Sequence, residues 1–353
     1  MVLPAVRIGG YSLELRDRDG LMGDRASQTA FREMLDAWRQ RHGTSSDDPL
    51  GHADTDALGK DDIDRAARQA GTAAARAIGS ASEEFAHELA HVVRAFRRQP
   101  AWRGVERIVV GGGFQESAVG EEAVARAGEI LHTLGVDAGL RLLRHHADEG
   151  GLVGWLHLAP PAALQAHDAI LAVDIGGTNV RCGIVEHRRD RAADLSQARV
   201  AAREKWRHAD DRPTRAEFVA GIADLVERMA REAERAGLRL APFVGIACPG
   251  QVLPDGSIAR GAQNLPGRWD DGRFHLPRSL ARRLPRIDGA APEVRMHNDA
   301  VVQGLSELPF MQDVRRWAVL TIGTGLGNAC YGNRRPAPKN ASKSSKDSGR
   351  ANQ

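Results

Sequence analysis

Three glycine-rich turns and one Asn-Asp pair carry the residues best suited to chemistry. Asp174-Ile175-Gly176-Gly177-Thr178-Asn179 follows the apolar run Ala169-Ile170-Leu171-Ala172-Val173 and precedes Val180-Arg181-Cys182-Gly183-Ile184-Val185. That pattern predicts a hairpin whose glycine tip exposes backbone N–H groups. Such a tip suits a phosphate, because glycines let the main chain approach closely and N–H dipoles favour negative charge. Gly323-Thr324-Gly325-Leu326-Gly327 repeats the design after Trp317-Ala318-Val319-Leu320-Thr321-Ile322, and Gly111-Gly112-Gly113 closes the apolar strand pattern from Arg107. Two turns of matching design suit a two-lobed nucleotide clamp. Between them lies His297-Asn298-Asp299-Ala300. The carboxylate of Asp299 is able to align a hydroxyl and take its proton during phosphoryl transfer, although an isolated Asn-Asp pair serves equally well as a helix cap.

The spacing excludes the two commonest nucleotide folds. No lysine follows any glycine turn, as a P-loop requires. No turn has the G-x-G-x-x-G spacing, helix and downstream acidic residue of a dinucleotide fold. The remaining combination resembles the ROK family of glucokinase-like sugar kinases. The resemblance implies an α/β, two-lobed sugar-kinase/actin/heat-shock ATPase (ribonuclease-H-like) fold that uses ATP and Mg2+. It implies that Asp174 holds the magnesium through water, and that Gly176, Gly177, Thr178, Asn179, Gly323, Thr324, Gly325 and Gly327 line the phosphates. Gly111, Gly112 and Gly113 match the glycines bordering the adenosine pocket. Cys248-Pro249-Gly250-Gln251-Val252, Asp255-Gly256 and Asn264-Leu265-Pro266 resemble the sugar-side segment. Gly250, Asn264 and Asn298 then contact substrate, and Asp299 is the general base.

The order of these motifs departs from the family. The adenosine glycines and the Gly151-Leu152-Val153-Gly154 helix precede the first phosphate turn, which lies near mid-chain. Circular permutation accounts for this, with a join near Pro160-Pro161 and a break after Tyr331-Gly332-Asn333. Residues 1–160 then form one part of the large lobe, 161–297 the small lobe, 298–335 the rest of the large lobe, and 336–353 a disordered Pro/Ala/Lys/Ser tail. The family's Glu-x-Gly-His and cysteine-rich zinc segment are absent, so no zinc is expected; Glu14 and Asp24 are the acidic residues available in their place. Two functions follow from the resemblance: ATP-dependent phosphorylation of a hexose or related sugar, and sugar or nucleotide sensing without strong kinase activity. An acyl-phosphate kinase or ATPase fits the asparagine-rich sugar side less well.

Positioning elements are legible from periodicity. A strand is expected at Tyr11–Leu15, a helix from near Asp24 with Ala30, Phe31, Leu35 and Trp38 on one face, and a helical stretch over 61–97 broken near Gly71 or Gly79. Helices are expected over about 120–134, 152–158 and 214–236, and strands at 140–143 and 243–247. Met296–Ala300 reads as the opening of a further helix.

Lys+Arg 49 nearly balances Asp+Glu 46 in the 353 residues, so the pI of 9.0 does not require a nucleic-acid partner. No apolar run reaches the roughly 18 residues of a membrane span, and the start lacks a secretory pattern, so a cytoplasmic protein is expected. The partners expected are a sugar and ATP, with a homodimer as the candidate assembly. Cys182, Cys248 and Cys330 are widely spaced and read as buried reduced thiols; His145, His146 and His297 read as structural or surface residues rather than metal ligands.

Overall fold

Two five-stranded sheets with the same strand order and senses organise the chain. The structure, a computed structural model, describes residues 1–42, 48–51, 53–262 and 265–334. From the start run β1 (Val6–Tyr11), the small ribbon β2 (Arg16–Asp17) and β3 (Gly20–Leu21), α1 (Gln28–His42), α2 (Lys60–Ala67) and α3 (Ala73–Arg97). Then come β4 (Arg107–Gly111), α4 (Ala118–Thr133), β5 (Gly139–Leu142), α5 (Ala147–Val153) and α6 (Pro161–Ala166). The second half has β6 (Ala169–Ile175), β7 (Val180–Glu186), β8 (Arg199–Trp206), α7 (His208–Asp211), α8 (Arg215–Arg235) and β9 (Leu240–Cys248). It continues with β10 (Gln251–Val252), β11 (Ile258–Arg260), α9 (Leu276–Ala281), β12 (Glu293–Asn298), α10 (Asp299–Leu305), β13 (Arg316–Ile322) and β14 (Leu326–Asn333).

One sheet is ordered β1-β14-β13-β4-β5 and the other β8-β7-β6-β9-β12. In each, neighbouring strands are antiparallel among the first three and parallel among the last three. The central strands are apolar because both faces are covered: β6 and β13 are buried along almost their whole length. Helices α1, α3 and α4 pack on one face of the first sheet around Phe31, Phe85, Leu89 and Phe96. Helix α8 covers the outer face of the second sheet with Phe218, Ile222 and Val226. Between the sheets the helices cross over. Helix α10 leaves the second sheet and packs on the first through Val301 and Leu305; α5 leaves the first and lies on the second through Leu152.

Local chemistry sets most boundaries. Thr214 caps α8 in a reciprocal box with Glu217, and Ser117 caps α4. The 61–97 helical stretch breaks at Gly71, whose φ of +80° no helix accommodates, while Gly79 sits inside α3 without interrupting it. Three expectations are corrected. The first strand is Val6–Tyr11 rather than Tyr11–Leu15, because pairing with β14 stops at Tyr11 and Ser12 turns the chain at φ +49°. The helix expected from Asp24 begins at Gln28 after a 3-10 turn over Met22–Ala26. Met296–Asn298 ends a strand, β12, and the helix starts only at Asp299.

The three cysteines are buried and free. No described helix is long and apolar enough to cross a membrane. The expected tail over 336–353 lies outside the described residues.

Candidate active site

The strand ends of both sheets open onto one cleft of about 760 Å³. Its wall includes Asp174, Gly176, Gly177, Thr178, Asn179, Gly323, Thr324, Gly325, Gly327, Gly112, Gly113, Gly250, Asn298 and Asp299. Gly111 stands behind that wall, and Asn264 lies outside the described residues.

The two glycine turns occupy equivalent places, β6–β7 in one sheet and β13–β14 in the other. The Gly176 N–H donates to the Asn179 carbonyl (2.8 Å), and the buried ring of His208 lies with Nε2 2.9 Å from the Gly176 carbonyl. A carbonyl only accepts, so Nε2 carries the hydrogen. In the second turn Gly323 N–H donates to Gly325 O (3.0 Å), Gln28 N–H to Gly323 O (2.8 Å), and Thr29 Oγ1 to Thr324 O (3.1 Å). The tips meet across the cleft, with Thr178 Oγ1 and Thr324 Oγ1 3.4 Å apart. Gly112 passes directly behind the second turn at φ +87°; a Cβ there would come within 2.5 Å of the Ile322 carbonyl oxygen.

Asn298, rather than Asp299, is the helix cap: its Oδ1 accepts from Val301 N–H (3.1 Å). Its Nδ2 donates to Gly250 O (2.9 Å), Ser12 Oγ (3.1 Å) and Asp299 Oδ1 (3.0 Å). With its amide so engaged, Asn298 fixes Asp299 and ties the two sheets together. Asp299 Oδ1 accepts from the Ala300 N–H (2.8 Å), and the half-buried carboxyl faces the cleft. Burial, then the negative charge of Asp174, push its carboxyl up to about 6, against the pull of the Ala300 N–H and the Asn298 amide. Asp174 is also raised, mainly by burial; the Arg181 guanidinium draws it back only in part. His297, beside them, accepts from Asn298 N–H through Nδ1 (2.8 Å), and burial lowers it to about 4, so it is neutral.

Sequence reasoning missed a row of charges. Asp174, Arg181 and Lys205 are register partners on adjacent strands, and so share one face of the sheet. Arg181 Nη1 lies 3.5 Å from Asp174 Oδ2, and its Nε donates to Asp148 at the start of α5. Lys205 Nζ adds a 3.1 Å contact to the same Asp148. Burial alone would raise Asp148, but the two cations more than offset it and hold the carboxyl below its ordinary range. The signal was present as alternation in β8 (Arg199–Trp206), yet only the pairing register reveals which residues meet. Ser12, Glu14, Asp24, Gln251 and Arg260 also reach the cleft from segments far apart in sequence. Glu14 and Arg260 approach to 3.7 Å. Among the described residues, Glu116, His146 and Asp148 form the one cluster with metal-ligand proximity, and its Asp148 is already paired with two cations.

No family model matches the chain, and no curated protein matches it. Solved structures similar to part of it include a provisionally named sugar kinase from Cytophaga hutchinsonii, at 20% identity over 47% of this chain and 48% of that one, with a TM-score of 0.35. A provisionally named N-acetylmannosamine kinase from Listeria monocytogenes is 25% identical over 47% of this chain and 48% of its own, with a TM-score of 0.33. A ROK hexokinase from Thermus thermophilus is 22% identical over 37% of this chain and 35% of its own, with a TM-score of 0.27. The chain thus spans about half or less of each of these structures.

Proposed function

We propose that the chain transfers the γ-phosphoryl group of ATP to a hydroxyl of a hexose or related sugar, with Asp299 as general base. The observation that carries this reading is the cleft position of Asp299, beside the capping Asn298 and lining the same space as both glycine turns. A carboxyl with a pKa of about 6 is ionised at neutral pH yet basic enough to take a hydroxyl proton as the oxygen attacks. Backbone N–H groups of the two turns would bind the phosphate oxygens, and the glycines at 176, 177, 323 and 325 keep side chains out of the way. Ser12, Glu14, Asp24 and Gln251 offer hydroxyl partners on the sugar side.

The cleft suits magnesium. Asp174 is a largely buried carboxylate whose charge only one cation, 3.5 Å away, partly balances, and it in turn raises Asp299, a second carboxyl on the same cleft. Asp174 would hold the ion through water, and the ion would offset charge on the transferring phosphoryl oxygens.

The strand order supports circular permutation of a two-lobed kinase fold. Matching β13-β14-β1-β4-β5 to β6-β7-β8-β9-β12 requires the chain to pass from β14 to β1, which already pair antiparallel through Val6↔Asn333. One lobe would comprise 1–160 and 298–335, the other 161–297.

The test is ADP release by purified protein with Mg·ATP across a panel of hexoses and amino sugars. Stimulation by at least one sugar is expected, with Asp299→Asn lowering kcat by about a thousandfold or more while ATP still binds. An active Asp299→Asn enzyme would remove the base assignment. ATP binding without turnover on any sugar would favour the sensing alternative.

A further inference from the structure

Past its last pairing with β14, the chain leaving β1 is held more firmly than a surface turn requires. Tyr11 pairs with Ala329, and Ser12 then swings away at a left-handed φ of +49°, a conformation costly for a serine. The neighbour of Ala329 on β14 is Asn328, only 2% exposed, and its side chain substitutes for a missing strand. Its Oδ1 accepts from Leu13 N–H (3.1 Å), its Nδ2 donates to Leu13 O (3.0 Å), and its main-chain carbonyl accepts from Ser12 N–H (3.0 Å). Burying an amide inside a strand is tolerated only where both of its ends are bonded, and here both ends hold Leu13.

The segment so fixed presents one side chain to the cleft. Leu13 and Leu15 pack against the core under α1 and α3, and Leu15 O accepts from Met22 N–H (2.8 Å). Glu14, between them, lines the cleft with its side chain 41% exposed. Two residues back, Ser12 Oγ accepts from Asn298 Nδ2, which also donates to Asp299 Oδ1. Two residues of chain span at most about 7 Å, so Glu14 stands close to the hydrogen bonds around the proposed base.

Its surroundings belong to the sugar side. Tyr11 Oη donates to Val252 O (2.7 Å) and Ser12 Oγ to Gly250 O (3.3 Å), which ties this segment to β10. Arg260, the partner of Gln251 in the β10–β11 ribbon, brings Nη1 to 3.7 Å from Glu14 Oε2, too far for a hydrogen bond. The other groups nearby are already engaged or lie elsewhere. Ser12 both accepts and donates, and Gln251 Oε1 accepts from Arg260 Nε (3.0 Å). Asp24 follows Gly23, where a Cβ would stand 3.4 Å from Leu326 of the second glycine turn. Among the described residues Glu14 accepts no hydrogen bond.

A free carboxylate in this place repels phosphate, but its two oxygens can accept from two neighbouring hydroxyls, whose own oxygens the Arg260 guanidinium can meet. We propose that Glu14 reads a pair of adjacent sugar hydroxyls, other than the one phosphorylated, and that Asn328 is the positioning residue that holds it there. This rests on the kinase reading.

ADP release by the full chain tests it, with D-glucose, D-mannose, D-galactose or D-glucosamine and the monodeoxy forms of whichever is used best. In the parent, at least one deoxy form should have a KM about tenfold or more above its sugar, the scale of a hydroxyl lost from a carboxylate. Glu14→Ala should raise the KM of the sugar by a similar factor, close the gap to that deoxy form, and leave KM for ATP within about twofold. Asn328→Leu should raise the sugar KM too, yet add nothing in the Glu14→Ala chain, where no carboxylate is left to place. If Asn328→Leu does not fold, Asn328→Asp, which loses only the Nδ2 donor, is measured in its place. An unchanged sugar KM in Glu14→Ala, with turnover lost in Asp299→Asn, overturns the role of Glu14 and leaves the kinase reading standing. A KM raised equally for the sugar and all its deoxy forms overturns the reading of hydroxyls. A further rise from Asn328→Leu in the Glu14→Ala chain overturns the positioning role. ADP release that no sugar stimulates overturns the kinase reading itself, and this inference with it.

Discussion

The two sheets share a strand order, but they do not share chemistry. Position for position, β6 corresponds to β13, and the glycine turn after each one faces the cleft. Asp174, second-last in β6, therefore corresponds to Thr321, second-last in β13. The second sheet supplies both carboxylates, Asp174 and Asp299, at the ends of β6 and β12. The first supplies a hydroxyl and close-packed glycines at the matching ends. A symmetric frame thus sets strand ends that carry carboxylates opposite matching ends that carry none, and on the kinase reading phosphoryl transfer needs that asymmetry. On that reading the carboxylates would handle protons and cations, while the glycine side would let the main chain approach phosphates.

The acidic side should show the largest effects. With Asp299 titrating near 6 rather than at the usual 3.8, kcat/KM for the sugar should fall about tenfold per pH unit below 6 and level off above it. The stability effect has the opposite sign. A carboxyl whose folded pKa is raised weakens the fold as pH climbs from about 4 to about 6, and the penalty persists above that. Asp299→Asn should therefore be more stable than the parent at pH 7.5, by on the order of 1–3 kcal/mol, with the gap closing near pH 4. Urea denaturation at both pH values measures this. A variant less stable at pH 7.5 would make Asp299 a structural residue, and the contrast between the sheets would lose its main support.

Next in size is the charge row. Arg181 faces Asp174 and Asp148 with its side chain only 15% exposed. Arg181→Met would leave two carboxylates in one largely buried site with Lys205 alone to balance them. A loss of about 3 kcal/mol is expected, partly recovered by Asp148→Asn in the same chain. Lys205→Met, at a side chain 47% exposed, should cost less than about 1 kcal/mol. Equal losses at Arg181 and Lys205 would mean that the row acts as surface charge and does not set the acidic side apart.

The glycine side gives smaller and more local effects. Gly112→Ala places a Cβ against the Ile322 backbone at a left-handed φ, and about 2 kcal/mol of stability should be lost. At Gly325 an added Cβ meets nothing within 4 Å, so stability should hold within about 0.5 kcal/mol. Any change in Gly325→Ala should then appear as weaker nucleotide binding in calorimetry. A Gly325→Ala protein that is destabilised but binds nucleotide normally would give the second turn a folding role in place of a ligand role.

These residues differ in how openly the sequence displays them. Glycine turns after apolar runs are visible locally, because buried central strands are continuous in Val, Ile, Leu and Ala. Strand β8 escaped notice because it alternates exposed and half-buried residues at the sheet edge and includes Arg199, Arg203, Glu204 and Lys205. Strand β12, at the opposite edge, carries Glu293, Arg295 and His297 in a similar pattern, and its last three residues, Met296–Asn298, read as the start of a helix. The Arg181–Lys205 pair depends on strand register, and Asn328 becomes notable only when Leu13 lies against it. Neither is a property of any one segment. The capping role of Asn298 lay within reach, since an asparagine before a helix is a common cap; what hid it was starting the helix at Met296, which puts Asn298 inside it.

The smallest expected effect tests the frame itself. If the split first sheet is equivalent to the contiguous second one, re-cutting the chain should leave both intact. A chain beginning at Pro160, running to Arg334, passing through a short Gly/Ser linker into residue 1 and ending at Ala159 would build both sheets in the same sequential order. The geometry permits the join: Arg334 N–H donates to Ala5 O at 3.0 Å, and Arg334 Nη1 reaches Leu3 O at 3.1 Å. The opening falls between the 3-10 turn Gly154–His157 and α6, at a proline that offers no N–H to the fold. Changing loop closure in this way alters chain entropy by only about 1 kcal/mol, so the melting temperature should move by a few degrees and nucleotide affinity should persist. A re-cut chain that fails to fold, while separate chains 1–159 and 160–334 assemble without the linker, would show that β14 and β1 must stay covalently separate. The likeness of the two sheets would then be one of strand order only.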